Sequence, residues 1–204
     1  MIRFQNVSLT LGKKQILDHF NLKIRKGEKV VLSAPSGSGK TCLLKLLMGF
    51  IDADQGRIFF NGEKIIRENV QKIRSKIGYI SQDIDFPNGR VDEVFRDILN
   101  LTGSYMNNFH RELLVKKLEV VNLSGDILSK NTSDISGTER QRLGWALTML
   151  LDRPVLLLDE PTSALDSRQT QFFVDYAIFS GKTVICATHD REWIHPNVKV
   201  IPEI

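Results

Sequence analysis

The sequence predicts an α/β fold: a core built around a small polar loop between strand and helix, an antiparallel β flap leading into that loop, and an inserted α-helical subdomain. Three observations carry the prediction. Residues 30–48, VVLSAPSGSGKTCLLKLLM, pass from a short apolar strand through a small polar loop into a segment with Leu43, Leu44 and Leu47 at helical spacing. Two later apolar runs, Val155 to Leu158 and Thr183 to Thr188, are strands of the kind buried in a sheet, and each ends at ionisable residues. Between residues 83 and 131 strand signals vanish and apolar residues recur at helical spacing.

With 204 residues, 42% hydrophobic and 25% charged, the chain can bury a full core and reads as one domain, residues 1–204. Residues 1–82 and 132–204 form the core with its flap, and residues 83–131 the helical subdomain. No run approaches the roughly eighteen apolar residues of a membrane helix, and the opening MIRFQNVSLTLGKK lacks the apolar block of a signal peptide. The expectation is a cytoplasmic chain. Cys42 and Cys186 are too few and too separately placed for a disulfide frame or a metal cluster and are expected to be buried thiols. The net charge of +4 is small and no basic block is interleaved with aromatics, so no nucleic-acid partner is expected.

Taken in order, residues 2–9, IRFQNVSL, alternate as a half-buried strand does, and Asn21 to Ile24 repeats the pattern before the Lys26-Gly27-Glu28 turn. Together they make the flap. After the loop helix, Asp52-Ala53-Asp54-Gln55-Gly56 reads as a turn, Arg57 to Phe60 as a strand, Asn61-Gly62 as a tight hairpin turn, and Ile77 to Ile80 as a strand giving way to loop at Ser81-Gln82. In the insertion, Val91, Val94, Phe95, Ile98 and Leu99, then Leu114, Leu118 and Val121, form two helical stripes with no strand between them. Ser136-Gly137-Thr138-Glu139 opens a helix whose apolar face is Leu143, Ala146, Leu147, Leu150 and Leu151, and Ser136 with Glu139 three residues on matches a capping box. Val198 to Ile201 forms a last short strand.

The chemistry sits at the strand ends. Ala34-Pro35-Ser36-Gly37-Ser38-Gly39-Lys40-Thr41 matches the phosphate-binding pattern G-x-x-x-x-G-K-[ST] everywhere except its first glycine, which here is Ala34. Glycines let consecutive backbone N–H groups point at phosphate oxygens, and the helix start adds its positive dipole end. Lys40 suits the β and γ phosphates of a nucleotide, and the Thr41 hydroxyl suits a bridging Mg2+. Asp159-Glu160 places two carboxylates at the tip of a buried strand, where charge is costly without a partner. Ligands of open α/β sheets bind at such carboxyl ends, and the next apolar strand brings His189 to the same edge.

With Lys40, Gln82, Ser136-Gly137, Asp159-Glu160, Ser163-Ala164-Leu165-Asp166 and His189 in this order, the chain resembles the ATP-binding subunit of an ABC transporter over essentially its whole length. A lone phosphate loop would fit kinases, GTPases and helicases equally well; the Ser-Gly signature between that loop and the Asp-Glu strand is what belongs to ABC ATPases. The resemblance implies a P-loop NTPase core that binds ATP and Mg2+. It implies nucleotide contacts from Leu11, Ala34, Pro35, Ser36, Gly37, Ser38, Gly39, Lys40, Thr41, Cys42 and Gln82, with metal contacts from Thr41, Gln82 and Asp159. Glu160 would orient or activate the attacking water, His189 would position the γ phosphate, and Gln82 would tie the site to the helical insertion. The implied assembly is an ATP-dependent head-to-tail dimer of two copies, in which Ser136, Gly137, Thr138 and Glu139 reach the partner's nucleotide and Asp166 links the two sites. Closure of that dimer would power substrate translocation through separate transmembrane permease subunits, with the chain peripheral at the cytoplasmic face of the cell membrane. An ATP-dependent regulatory clamp on a membrane partner is the alternative, and the intact Glu160 argues for turnover. A DNA-repair or translation ATPase of the family would bring tandem cassettes, zinc cysteines or a long coiled coil, and the sequence has none. The fifteen residues after His189 leave room for one short strand, so the expectation is a minimal motor without a regulatory domain.

Four positions depart from the family pattern. Thr138 replaces the second signature glycine; a left-handed backbone there would cost threonine about 1–2 kcal/mol and weaken the closed dimer, whereas an ordinary first-turn position would make glycine the costlier residue. Leu11 stands where an aromatic usually stacks on adenine, so the base contact is expected to be apolar. Ala34 replaces the first loop glycine, and Leu147 stands where an arginine is common.

Overall fold

Two sheets of different character organise the chain in the computed structural model, which describes residues 1–35, 37–101 and 111–202. The first is antiparallel. Its strands β1 (Ile2–Leu11), β2 (Lys14–Ile24), β4 (Gln55–Phe60) and β5 (Glu63–Lys64) are ordered β2-β1-β4-β5. The flap is therefore wider than its two sequence strands. Gln55 and Gly56, expected in a turn, belong to β4 because Gly56 lets the flap close: a Cβ there would lie 2.2 Å from the Asn6 carbonyl oxygen. Asn61 and Gly62, both with positive φ, make the expected two-residue hairpin between β4 and β5.

The second sheet is parallel, in the order β6-β7-β8-β3-β9, from β3 (Lys29–Leu32), β6 (Ile77–Ile80), β7 (Val155–Asp159), β8 (Thr183–Ala187) and β9 (Lys199–Ile201). Its strands read as continuous apolar runs because both faces are covered. Along β7, Val155 and Leu157 enter a cluster shared with the flap and with α1 (Lys40–Leu47), while Leu156 and Leu158 enter a cluster shared with helices on the opposite face. Strand period 2 produces that division. Each of these leucines is fully buried, which stabilises the fold by roughly 1.5–3 kcal/mol apiece.

The helical side contains α3 (Val91–Leu101), α4 (Arg111–Val120), a 3-10 turn at Gly125–Ser129, α5 (Gly137–Leu151) and α6 (Ser167–Phe179). Apolar residues of α3, α4, α5 and α6 join one cluster with the sheet face. The two ends of the insertion are clasped together: Val91 N–H donates to Lys130 O at 3.1 Å, Thr132 N–H donates to Gly89 O at 2.9 Å, and the Thr132 hydroxyl donates to Pro87 O at 2.9 Å.

The single apolar stripe expected on α5 is too narrow. Leu143, Ala146 and Leu150 are buried, Leu147 and Leu151 are half-buried, and Gln141, Gly144, Trp145, Thr148 and Met149 are buried as well, because α5 is packed between the sheet and the insertion. Two helices have no counterpart in the sequence reading. The five-residue α2 (Val70–Arg74) is too short to show a stripe, and Arg74 caps the end of α1 from it, donating from Nε to Met48 O at 2.7 Å and from Nη2 to Gly49 O at 3.1 Å. α6 follows Asp166, whose carboxylate accepts the Gln169 N–H at 2.9 Å as its N-cap. Cys186 is fully buried as expected, whereas Cys42, the third residue of α1, is half-buried against the cluster shared with the flap; burial raises both thiol pKa values.

Candidate functional site

Parallel strands bring their carboxyl ends to one edge, so β3, β6, β7 and β8 deliver the phosphate loop, Gln82, Asp159-Glu160 and Thr188-His189 side by side. The loop enters α1 through Gly39, which has φ +105° and so the left-handed region; a Cβ there would lie 2.4 Å from Ile16 Cγ2 of the flap. Ala34 has no such requirement. It is buried, its φ is not positive, and its carbonyl is used by the loop itself, so the missing first glycine leaves the cradle intact. Ser36 lies outside the described residues.

Lys40 is only 7% exposed, and its ammonium donates to Ala34 O at 2.6 Å and Pro35 O at 3.1 Å. Those neutral carbonyls hold the charge at the mouth of the loop and can be exchanged for phosphate oxygens, which accept from an ammonium more strongly. Lys14 of the flap donates to Gly37 O at 3.0 Å and so braces the loop from the other side. Leu11 ends β1 opposite Lys14 and is 47% exposed, available as an apolar surface.

The Thr41 hydroxyl donates to Asp159 Oδ1 at 3.0 Å. Asp159 is 2% exposed; burial raises its carboxyl pKa, and the Thr41 hydrogen bond opposes that shift only in part. A buried carboxylate beside a hydroxyl is a hard-oxygen pair that a cation would relieve, so these donors fit Mg2+ held by few protein groups and by substrate phosphates. Nearby Tyr79 is pushed up to about 12, by burial first and then by the Asp159 charge.

Glu160 has φ +46°, a left-handed conformation that is costly for a side chain and held by its surroundings. Its N–H donates to Ala187 O at 2.8 Å; its carboxylate accepts from the Thr188 hydroxyl at 2.9 Å and meets His189 Nδ1 at 2.9 Å. His189 is largely exposed, and the bond at Nδ1 leaves Nε2 as the ring nitrogen for a ligand.

The signature residues form a second group. Ser136 caps α5 with a complete capping box: its Oγ accepts from Glu139 N–H at 3.2 Å, and Glu139 accepts from Ser136 N–H at 2.8 Å. Lys130 donates to the same carboxylate at 2.8 Å, and these bonds lower the Glu139 pKa to about 2. Thr138 lies in the first turn of α5 with no positive φ, and its hydroxyl donates to Ala164 O at 3.1 Å. The left-handed strain considered for Thr138 is therefore overturned: the helix begins at Gly137, so threonine has ordinary helical backbone. Gln82 is exposed and, with Gly137, Arg140, Gln141, Ser163 and Ala164, lines a cleft of about 220 Å³. Among the described residues no hydrogen bond joins Ser136 to Glu139 with the phosphate loop. The structure thus brings Lys40, Thr41, Asp159, Glu160 and His189 together, while Thr138 of the signature group is bonded to Ala164.

Sequence reasoning missed Lys14, Thr188 and Gln141. The signal for Gln141 was available: Thr138, Gln141 and Trp145 recur at i, i+3 and i+7, one face of a helix, and all three bond to residues 160–164.

A parallel sheet with a glycine-rich loop after one strand, a helix-borne Lys-Thr and an acidic strand tip define a phosphate-loop nucleotide-binding protein. A protein-family model described as ABC transporter matches residues 17–163, and the chain belongs to the ABC transporter family. It is 31% identical over 199 residues to the choline transport ATP-binding protein OpuBA of Bacillus subtilis (strain 168), which covers 94% of this chain and 52% of that protein. It is 35% identical over 207 residues to an ATP-dependent lipid A-core flippase of Ralstonia nicotianae, covering 92% of this chain and 33% of that protein. The chain thus spans about half or less of these relatives. Its fold matches the dimeric ATP-binding cassette MJ0796 in a post-hydrolysis state bound to ADP and Pi, with a TM-score of 0.81 and 26% identity over 93% of this chain and 88% of that one. No helix among the described residues is long and apolar enough to cross a membrane.

Proposed function

We propose that the chain hydrolyses ATP with Mg2+, and that two copies closing head to tail around the nucleotides drive substrate translocation through transmembrane permease subunits at the cytoplasmic face of the membrane. The observation that carries the reading is Glu160: its carboxylate is held at the tip of β7 by Thr188 and His189, next to Asp159, Thr41 and Lys40. In this site the backbone N–H groups of the loop and the Lys40 ammonium hold the β and γ phosphates. Thr41, Asp159 and Gln82 would hold Mg2+, which when bound would supply charge neutralisation at those phosphates. Glu160 accepts a proton from a water as its oxygen bonds to the γ phosphorus; the bond to the bridging oxygen breaks and ADP carries that electron pair away, leaving inorganic phosphate. His189 offers Nε2 to a γ-phosphate oxygen while Nδ1 stays on Glu160. Such catalysis is mainly placement and charge stabilisation.

In the head-to-tail pair, Ser136, Gly137, Thr138 and Glu139 of one copy cover the nucleotide of the other, and the Asp166 loop lies between the two sites. The match to a dimeric cassette supports this arrangement. The deciding experiment is Glu160→Gln, which keeps the side-chain shape and removes the base. ATP affinity is expected to stay, phosphate release to fall about 10²- to 10⁴-fold, and an ATP-bound dimer to accumulate on gel filtration. Phosphate release at the parent rate would remove Glu160 from the chemistry.

A further inference from the structure

The catalytic loop is fastened to the signature helix of its own chain. Glu160 to Ala164 has no regular secondary structure after β7, yet it is bonded at several points by one face of α5. Thr138 donates to Ala164 O at 3.1 Å, and Trp145 Nε1 donates to Pro161 O at 3.0 Å. Between them lies Gln141, 4% exposed, with both ends of its amide engaged: Nε2 donates to Glu160 O at 3.1 Å and to Ser163 Oγ at 3.3 Å, and Oε1 accepts from Ala164 N–H at 2.9 Å.

The Glu160 peptide is therefore pinned on both sides, its N–H by Ala187 O of β8 and its carbonyl by Gln141. These two bonds set the rotation of a residue whose φ of +46° is unfavourable on its own, and that rotation aims the carboxylate at Thr188 and His189. Gln141 also lies about one turn into the helix that Ser136 caps. A small rotation of α5 about its axis would be felt at Glu160 through the Gln141 amide, which is bonded at both ends.

We propose that Gln141 is a positioning residue that couples the two nucleotide sites of the dimer. Its amide holds Glu160 in the productive conformation and transmits to it the position of the α5 start, which meets the partner copy's nucleotide. This inference rests on the head-to-tail reading above. Occupation of the partner's site seats α5, α5 seats Gln141, and Gln141 completes Glu160, so hydrolysis at one site depends on ATP at the other.

Two variants of the full chain test it. Gln141→Met fills the space without hydrogen bonds. Gln141→Glu keeps the shape and the acceptor for Ala164 N–H but, when ionised, cannot donate to Glu160 O. For both, dilute-protein ATP affinity is expected to stay near the parent, the thermal midpoint to fall because the Glu160 carbonyl loses its donor, and kcat to fall roughly ten- to a hundredfold. The Hill coefficient of ATP turnover should drop toward about 1 from a ceiling set by two sites. Protonation of the Gln141→Glu carboxyl restores a donor, so its kcat relative to the parent should recover as pH falls through roughly 8 to 6, the range of a buried carboxyl. A kcat loss with an unchanged Hill coefficient and no recovery at low pH would make Gln141 merely structural and overturn the proposal. Parent-like kcat and cooperativity in both variants would overturn it equally. A parent chain that turns over no ATP would sink the ATPase reading itself, and the coupling with it.

Discussion

Helices α1 and α5 both start at small polar residues, and the two starts differ in a way that separates their chemistry. α1 follows the left-handed Gly39, has no side-chain cap and no acidic residue in its first turn. α5 is closed by its own side chains, with Ser136 and Glu139 bonded reciprocally and the Glu139 carboxylate lying in the first turn. Each helix begins with several backbone N–H groups that lack partners inside it. At α1 they stay available for an anion, reinforced by the dipole and by Lys40; at α5 the capping box has satisfied two donors and placed negative charge at the positive end. One start is built to bind phosphate. The other is built to be rigid, which is what a lever passing movement to Glu160 requires.

Removing charge from α1 should break the contrast most severely. Lys40→Ala is expected to weaken ATP binding by about 2–3 kcal/mol, read by titration calorimetry, with the fold retained on thermal melting. Equal affinity would mean α1 is no stronger an anion site than α5. Next in size is Leu11→Tyr, which adds an aromatic face near the loop that Lys14 braces. It should tighten ATP binding by about 0.5–1.5 kcal/mol, and an unchanged dissociation constant would show that another residue already holds the base.

Thr138→Gly probes the rigid start. Glycine loosens the first turn and removes the hydroxyl bond to Ala164 O, so urea unfolding should show a loss of about 0.5–1.5 kcal/mol, with ATPase activity falling or unchanged. Higher activity at undiminished stability would mean the side chain obstructs the partner's nucleotide after all. The smallest effect belongs to Glu139→Gln, which keeps the cap and loses the charge pairing with Lys130. Because the folded Glu139 pKa is about 2 against an ordinary 4.5, its stabilising contribution is full above about pH 4.5 and disappears as pH falls through about 2. The parent should therefore be more stable than the variant by about 0.2–1 kcal/mol at neutral pH, and thermal melts should converge in acid. A gap that persists at low pH would place the effect in the cap rather than in the charge.

The edge that gathers Lys40, Asp159, Glu160 and His189 was legible because its residues are fixed by local rules. A glycine-rich loop between strand and helix, and ionisable residues at the tips of apolar runs, are patterns of a few consecutive positions; a parallel sheet then gathers those tips on one edge. The capping box at Ser136 and Glu139 was legible for the same reason, since both partners lie within one turn. The state of Thr138 was not, because the second signature position is compatible with either a left-handed loop residue or a first-turn helical one, and packing of α5 between sheet and insertion selects the latter. α2 escaped because five residues are too few to show a period, and the breadth of the flap because register shifts along β1 interrupt the strand alternation.

The sequence by itself determined the local chemistry: the loop that curls around phosphate, the Lys40-Thr41 pair, the acidic tip of β7 and the class of fold that must hold them. Only the tertiary structure decided what each group is tied to. Lys14 reaches Gly37, Thr188 reaches Glu160, and Gln141 reaches the Glu160 carbonyl across turns that bring residues 19 to 28 positions apart into hydrogen-bond distance. Such contacts leave no trace in composition or spacing, because hydrogen bonding requires groups within about 3 Å in favourable orientation, and that geometry exists only after the hydrophobic faces of sheet and helices have packed.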